Sequence, residues 1–439
     1  MLIIINKNTN CILLKTFINN VLHQTIIFAV VYKKDNDMNI EALENLLEIS
    51  KRRIATTETA FLREMYSDVE WKSRLILLKG CRGVGKTYMI LQHLKSLSDT
   101  SAYLSLDNIF FLSNSLSETV DALYKKGYRL FGLDEVHKYP NWSVEIKNIY
   151  DNYSDARLVI SSSSALDIMA GQGDLSRRMD EYRMRGLSFS EFVSFEYKEE
   201  LPYFSLEELL KNHAEIYDEY YERLDLSRKF NTYLKKGYYP YYKESGNKYH
   251  DRLQSVILEV IDSDMSAIFK IDYETARQIK KMLALIARIV PFRPNISKLS
   301  RDLNMSRNSV LTYLDYLSEA DIIYGLKSMV KSDSALTKPD KIYLENTNLL
   351  YAFDVATVNS GTIRETFVMN TLSRSGHVST PLKGDFMIDE KYVIEVGGVN
   401  KTFHHLSGMP NSILVKEGIG KGAKGVLPMW MLGLLKTKR

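Results

Sequence analysis

Between the apolar run RLILLK and the helical pattern TYMILQHLK lies Gly80 to Thr87, GCRGVGKT. Glycines at this spacing let successive backbone N–H groups curl round an anion, and the helix that follows presents its positive N-terminus to the same point. The chemistry is nucleotide phosphate binding. Gly80, Gly83, Val84 and Gly85 supply the loop and Tyr88 the first helical turn, while Lys86 reaches the β- and γ-phosphates and the Thr87 hydroxyl ligates a metal ion. ATP and Mg²⁺ are the ligands this implies.

A second set of residues supports the first. RLFGLDEVH ends an apolar strand in two adjacent carboxylates, Asp134 and Glu135. An acid at the strand end holds Mg²⁺, and the acid one residue beyond can orient and polarise an attacking water, which makes Glu135 the candidate catalytic base. ARLVISSSSAL adds a strand ending in four serines, Ser161 to Ser164. At the carboxyl end of a parallel strand Ser161 would face the γ-phosphate and sense it through its hydroxyl.

These residues need a scaffold that brings strand ends together. Leu75 to Leu78 is a short continuous apolar run suited to a strand covered on both faces, and Thr87 to Leu94 continues as a helix. Tyr103 to Asp107 reads as a further strand and SETVDALYKKG as a helix. Strands alternating with helices give a parallel α/β sheet.

The chain has 439 residues, 45% hydrophobic and 26% charged, enough for two or three domains around real cores. A formal net charge of +4 gives no global polyanion-binding signal, so any nucleic-acid contact must be local. Two cysteines, Cys11 and Cys81, support neither a disulfide framework nor a four-thiolate metal site and point to a reducing, cytoplasmic setting. The longest apolar run near the N-terminus, Ile26 to Tyr32, is too short to span a bilayer. Residues 1–37 read as an extension, or as sequence upstream of a true start at Met38, where NIEALENLLEISKRR begins an ordinary helix.

The motifs GCRGVGKT, LFGLDEVHKYPNW, VISSSSALDI and DLSRRMDEYRMRGLSFSEF together resemble those of bacterial and archaeal AAA-family ATPases, in which an AAA_14-type domain is followed by a DUF4143 domain. The resemblance covers most of Ile40 to Val426. It departs at the serines, where the family tends to have Thr-Gly-Ser-Ser. It implies that Arg178, just before Ser188 to Phe192, answers the γ-phosphate, in cis or from a neighbouring subunit, so an oligomer is possible. The bland alternative is an arginine packed against acids such as Asp180 or Glu181.

Beyond residue 200 the signals are less direct. Tyrosine runs such as YDEYYERL and KKGYYPYYKE suit partly buried helix faces, so residues 201–275 read as a helical bridge held by packing. ISKLSRDLNMSRNSVLTYLDYLSEADIIYGL, within 276–335, has a short helix, a turn at Asn304-Met305-Ser306, a second helix with Val310, Leu314 and Leu317 inward, and a strand. That is a winged helix-turn-helix, with Lys298, Arg301, Arg307, Asn308 and Thr312 placed to contact DNA. Three cations against Asp302 leave a net of +2 there, thin for phosphate binding, and a protein client is the other partner such an element would take.

Residues 336–439 contain GDFMIDEKYVIEVGGVNK. Asp385 and Glu395 in successive strands resemble the PD-(D/E)xK nuclease core, implying a restriction-endonuclease-like α/β domain. The usual lysine position is Gly397, and neither Lys401 nor Glu365 restores the pattern on paper. The reading is therefore an ATP-hydrolysing switch that moves the C-terminal modules. The alternatives are a DNA-binding regulator with little turnover and, less favoured, an ATP-controlled metal-dependent nuclease.

Overall fold

The computed structural model describes residues 40–162, 175, 177–328, 338–354 and 359–438. The readings for residues 1–37, for Cys11 and for Ser163 and Ser164 lie outside them.

The first sheet is built from β1 (Leu75–Lys79), β2 (Ser101–Ser105), β3 (Leu130–Asp134), β4 (Arg157–Ser162) and β5 (Asp180–Arg183). Its order is β2-β3-β4-β1-β5 and every pairing is parallel. Alternate residues of β1 enter two different cores: Ile76 and Leu78 join one face, Leu75 and Leu77 the other. This explains a strand without polar alternation, since both faces are roofed by helices. On the second face lie α1 (Ile40–Thr56), whose Leu43, Leu46 and Leu47 are buried, and α3 (Leu116–Lys125) and α4 (Trp142–Asn152). On the first lies α2 (Lys86–Lys95), through Met89, Ile90 and Leu94. Each such side chain contributes roughly 1.5–3 kcal/mol by leaving water. The sheet therefore fixes the direction in which α2 leaves β1.

The first core does not stop at this sheet. It runs on through α5 (Phe189–Tyr197), α6 (Leu206–Ile216), α7 (Leu226–Lys236), α8 (Tyr249–Glu259) and α9 (Tyr273–Ile289) to the C-terminal residues Leu434 and Leu435. The tyrosines expected to pack do so: Tyr233, Tyr238, Tyr239, Tyr242 and Tyr249 are buried. Helix α8 passes directly into a π-helical segment, Val260–Met265. Next come α10 (Ile296–Leu303), a left-handed Asn304, and α11 (Arg307–Glu319) capped by Ser306, followed by the antiparallel pair β6 (Ile323–Leu326) and β7 (Lys341–Leu344). The first of these helices starts three residues before the expected LSRDL, because Asn295 accepts from the Lys298 N–H and caps it there.

Helices α12 (Thr347–Asp354) and α13 (Ser360–Ser375) lead to a second sheet. It contains β8 (Val378–Ser379), β9 (Phe386–Ile388), β10 (Tyr392–Gly397), β11 (Ser412–Lys416) and β12 (Val426–Pro428), in the order β12-β11-β10-β9-β8. The β10-β11-β12 side is parallel and the β9 and β8 pairings antiparallel. Asn348 of α12 ties this half to the tyrosine-rich stretch. Its side-chain oxygen accepts from Tyr238 N and Tyr249 Oη, and its amide donates to the carbonyls of Tyr233 and Leu234. A fully buried amide with all of these partners fixes one packing arrangement, since each group left unmet would cost about 1–3 kcal/mol.

Candidate nucleotide site

The loop Gly80–Gly85 leaves the carboxyl end of β1 and turns into α2 through a left-handed Gly85. Lys86 is buried and folds back over its own loop, donating to the carbonyls of Gly80 at 2.8 Å and Cys81 at 3.0 Å. Thr87 Oγ1 donates to Asp134 Oδ2 at 2.7 Å. The two motifs, distant in sequence, are thus in direct contact.

Asp134 is 2% exposed and is held from three sides. Besides Thr87, the Tyr103 hydroxyl donates to Oδ2 at 2.7 Å and the Ser161 hydroxyl donates to Oδ1. Ser161 Oγ also accepts from the Glu135 N–H at 3.1 Å. In this structure the Ser161 hydroxyl thus bonds Asp134 and Glu135 and fixes the two acids. Arg53 of α1 donates to Tyr103 Oη at 3.1 Å and lies over its ring, so α1 also feeds the same carboxylate. Sequence reading missed Arg53 and Tyr103, because nothing local to either residue marks it.

Glu135 has a left-handed backbone (φ 55°) just past β3 and lines the cavity in front of the loop. Its Oε2 lies 3.5 Å from His137 Nε2 and 3.8 Å from Lys138 Nζ. The cavity encloses about 570 Å³, within the usual range for small-molecule sites. Gly85, Lys86 and Thr87 form its polar end, and Phe61, Leu91 and Phe195 an apolar one, with Phe61 and Phe195 5.2 Å apart. Val84 is buried and its carbonyl accepts from Arg63 at 2.8 Å. Tyr88 lines the cavity and its hydroxyl accepts from the Glu58 N–H.

The tyrosine-rich stretch covers the loop. A Cβ placed on Gly83 (φ 86°) would lie 2.5 Å from the Tyr241 ring, so only glycine fits beneath it. Arg82 pairs with Glu259 at 2.7 Å, and His137 Nε2 lies 3.8 Å from Asp264 Oδ1. On the other side Met184 N donates to the Lys79 carbonyl, and the Met184 carbonyl faces Gly80. Its neighbours Arg183 and Arg185 pair with Asp321 and Glu345, which flank the β6–β7 pair. Burial, with Asp321 nearby and against Arg185, pushes the Glu345 carboxyl up to about 7.

Arg178 lies at the other end of the sheet. Ile76 pairs with Asp180, so residue 178 precedes β5 at the end away from the loop, and its guanidinium pairs with Asp151 of α4 at 3.2 Å. In this structure Arg178 thus sits at the end of its own sheet away from the loop. Asp151 is an acid that the sequence reading did not single out for it.

In the second sheet Lys401 Nζ lies 2.5 Å from Glu395 Oε1, and a Cβ on Gly397 would fall 2.4 Å from both Cβ and Cγ of Lys401. The Lys401 side chain therefore fills the space beside Gly397 and reaches Glu395. Asp385 accepts from the Val396 N–H at 2.8 Å; burial first, with Glu365 and Glu395 nearby, pushes its carboxyl up to about 6. Glu365 is paired with Lys341 at 2.5 Å. Among the described residues no group of three or more His, Cys, Asp or Glu side chains stands at metal-binding spacing.

Residues 72–193 match the AAA domain family AAA_14. The first sheet and its loop have a P-loop, AAA-type ATPase fold. Residues 227–359 match DUF8612, a domain of unknown function, which corrects the DUF4143 domain expected in the C-terminal half. A curated relative, the uncharacterized protein MJ1637 of Methanocaldococcus jannaschii, is 24% identical over 289 residues, covering 62% of this chain. The chain spans 60% of that relative's length. Among solved structures it is similar to the RuvB Holliday junction branch migration motor of Thermotoga maritima (14% identity, 65% of this chain, 89% of that one, TM-score 0.25). It is also similar to AMPPCP-bound DnaA of Aquifex aeolicus (15% identity, 59% and 86% covered, TM-score 0.25). Superpositions this loose carry no detail of the site. Among the described residues no helix is long and apolar enough to cross a membrane.

Cys81 offers a direct check on how tightly the loop is covered. Burial, with Asp321 as the next cause, pushes its thiol up to about 12. Because the thiolate is the nucleophile, and deprotonation lies far above neutral pH, alkylation of Cys81 should stay slow from pH 7 to 9 in the folded protein and become fast on unfolding. Peptide mapping after iodoacetamide treatment reads this out; rapid labelling at pH 7.5 without denaturant would show the loop to be open.

Proposed function

We propose that this chain is an Mg²⁺-dependent ATPase that uses hydrolysis to reposition its helix-turn-helix and second-sheet modules. The observation that carries the reading is the Thr87–Asp134 contact at 2.7 Å with Glu135 beside it on the cavity wall. A hydroxyl and a carboxylate that already touch at a helix N-terminus form a fitting oxygen donor pair for Mg²⁺. Thr87 and Asp134 would hold Mg²⁺, which when bound would supply positive charge against the phosphate oxygens. The rest falls to the chain itself.

Lys86 would exchange the carbonyls of Gly80 and Cys81 for β- and γ-phosphate oxygens, and the loop N–H groups would hold the remaining charge. Phe61 and Phe195 would take the base at the apolar end. Glu135 would accept a proton from water as the water oxygen bonds to the γ-phosphorus. The bond to the bridging oxygen breaks at the same time, and ADP leaves with the electron pair. Arg178, at the far end of its own sheet, would serve only a neighbouring copy, so an arginine in trans requires an oligomer.

Movement would reach the C-terminal half through the end of β5 and the residues after it, where Arg183 and Arg185 pair with Asp321 and Glu345. Helices α10 and α11 with β6 and β7 read as a winged helix. Lys298, Arg301, Arg307 and Asn308 on it are exposed, which suits DNA or a protein client as partner.

Lys86→Ala should abolish ATP binding or hydrolysis, and Glu135→Gln should keep ATP binding while lowering phosphate release by roughly a hundredfold or more. Phosphate release and nucleotide titration test both, with and without a panel of DNA and RNA. Equal turnover in the Lys86→Ala variant and wild type would sink the reading; equally low release in wild type and Glu135→Gln would favour a nucleotide-set regulator.

A second reading is favoured by one observation, the Lys401 side chain in the space of residue 397 beside Glu395. Asp385, Glu395 and Lys401 would then support metal-dependent phosphodiester hydrolysis. It expects cleavage of linear or supercoiled DNA with Mn²⁺ that Lys401→Ala abolishes. Intact DNA in every arm, with and without ATP, removes it.

A further inference from the structure

Helix α7 carries two faces. Leu226, Phe230, Tyr233 and Leu234 are buried, while Ser227, Asn231 and Lys235, at successive i,i+4 positions, form an exposed polar face about 12 Å long. Two cavities open on that face. One, of about 380 Å³, lies between α7 and the second sheet, and the other, of about 580 Å³, runs toward Lys235, Lys236 and His250 of α8. Ser227 and Asn231 line both, so the two form one groove along the helix. The smaller cavity has an aromatic wall: Phe230 and Trp430 are buried, and the Tyr221 ring centroid lies 5.1 Å from that of Trp430. It reaches Gly398, next to Gly397, where Lys401 pairs with Glu395.

The groove is cationic once its internal pairs are counted. The acids lining it are Asp225 and Glu417, and each already faces an arginine: Arg228 at 2.6 Å and Arg364 at 2.7 Å. Lys235, Lys236 and Lys416 remain, and among the described residues none of the three is in an ion pair. Cations spaced along a groove that ends in aromatic rings fit a chain of phosphates bearing flat bases. We propose that this groove binds single-stranded nucleic acid, with phosphates along Lys235, Lys236 and Lys416 and one base entering the aromatic end. A duplex keeps its bases stacked inside and offers no free ring to such a cavity, so the single strand is the preferred form. The surface is separate from that of α10 and α11, and its binding depends neither on ATP turnover nor on cleavage at Lys401.

Fluorescence anisotropy of the full chain with labelled oligothymidine and oligouridine tests this, in EDTA so that no metal-dependent cleavage intervenes. At least one strand should bind, the tighter naming the nucleic acid, and a duplex of equal length should bind more weakly. Combining Lys235→Ala, Lys236→Ala and Lys416→Ala should weaken binding by roughly tenfold or more and flatten the slope of log K against log salt by about 2, at about 0.7 per cation. Tyr221→Ala should weaken it roughly fivefold with the salt slope unchanged, because stacking releases no counterions. Asn231→Glu, an exposed change in the middle of the groove, should act in the same direction and stands in if the triple variant does not fold. Arg301→Ala with Arg307→Ala, on the α10 and α11 surface, should leave single-strand affinity within about twofold. Absence of binding by either strand, or affinity and salt slope unchanged in the groove variants, overturns the proposal. So does polyglutamate that competes as well as the strand, which would assign the groove to an acidic protein segment.

Discussion

Asp134 is the point on which the site depends. A carboxylate with 2% exposure is costly to keep charged unless its oxygens are hydrogen-bonded, and here hydroxyls from α2, β2 and β4 meet them. Each contact to a charged acceptor is worth about 1.5–3 kcal/mol. Those hydroxyls also fix geometry. Thr87 sets where α2 begins, Tyr103 brings in Arg53 from α1, and Ser161 sets the backbone of Glu135. Four elements, α1, α2, β2 and β4, are therefore referenced to one side chain at the end of β3, and the parallel order β2-β3-β4-β1-β5 sets the carboxyl ends of these strands side by side.

A second constraint joins this sheet to the rest of the chain. Arg63 donates to Glu191, to the Val84 carbonyl in the loop, and to the carbonyls of Arg185 and Gly186. Burial alone would raise the Glu191 carboxyl, but Arg63 and the Ser188 N–H hold it below its usual range. Removing one partner of so buried a pair typically costs about 3–5 kcal/mol. From the far side Arg374 of α13 donates to the Gly186 carbonyl at 2.9 Å. The loop, the start of α5 and the second half of the chain thus meet at residues 185–187. These groups and the Arg183–Asp321 pair connect the loop to the second half of the chain by direct contacts.

The nucleotide loop, the paired acids and the alternating strands were legible because each signal is local. A glycine pattern, an apolar run ending in two carboxylates and the switch from strand to helix period all lie within a few residues. β2 was placed two residues late, at Tyr103 to Asp107, because Ser101 is buried and paired with Leu130 although its type reads as polar. Helices α10 and α11 were legible for the same local reason, through Ser306 and the inward Val310, Leu314 and Leu317. Arg53, Tyr103, Arg63 and Tyr241 were not, since their roles come from contacts made across the fold. The Lys401–Glu395 pair likewise depends on the turn after Gly397, which brings the lysine side chain back against that glycine.

The central claim is that nucleotide at GCRGVGKT acts on the segment lying over it. Hydrogen exchange of the full chain, with and without saturating Mg²⁺ and a non-hydrolysable ATP analogue, tests that most directly. The account predicts altered protection in the loop and in Tyr241 to Met265 together, with α2 following and the outer strands of the second sheet unchanged. Saturated binding that alters the loop but leaves Tyr241 to Met265 as it was would contradict it.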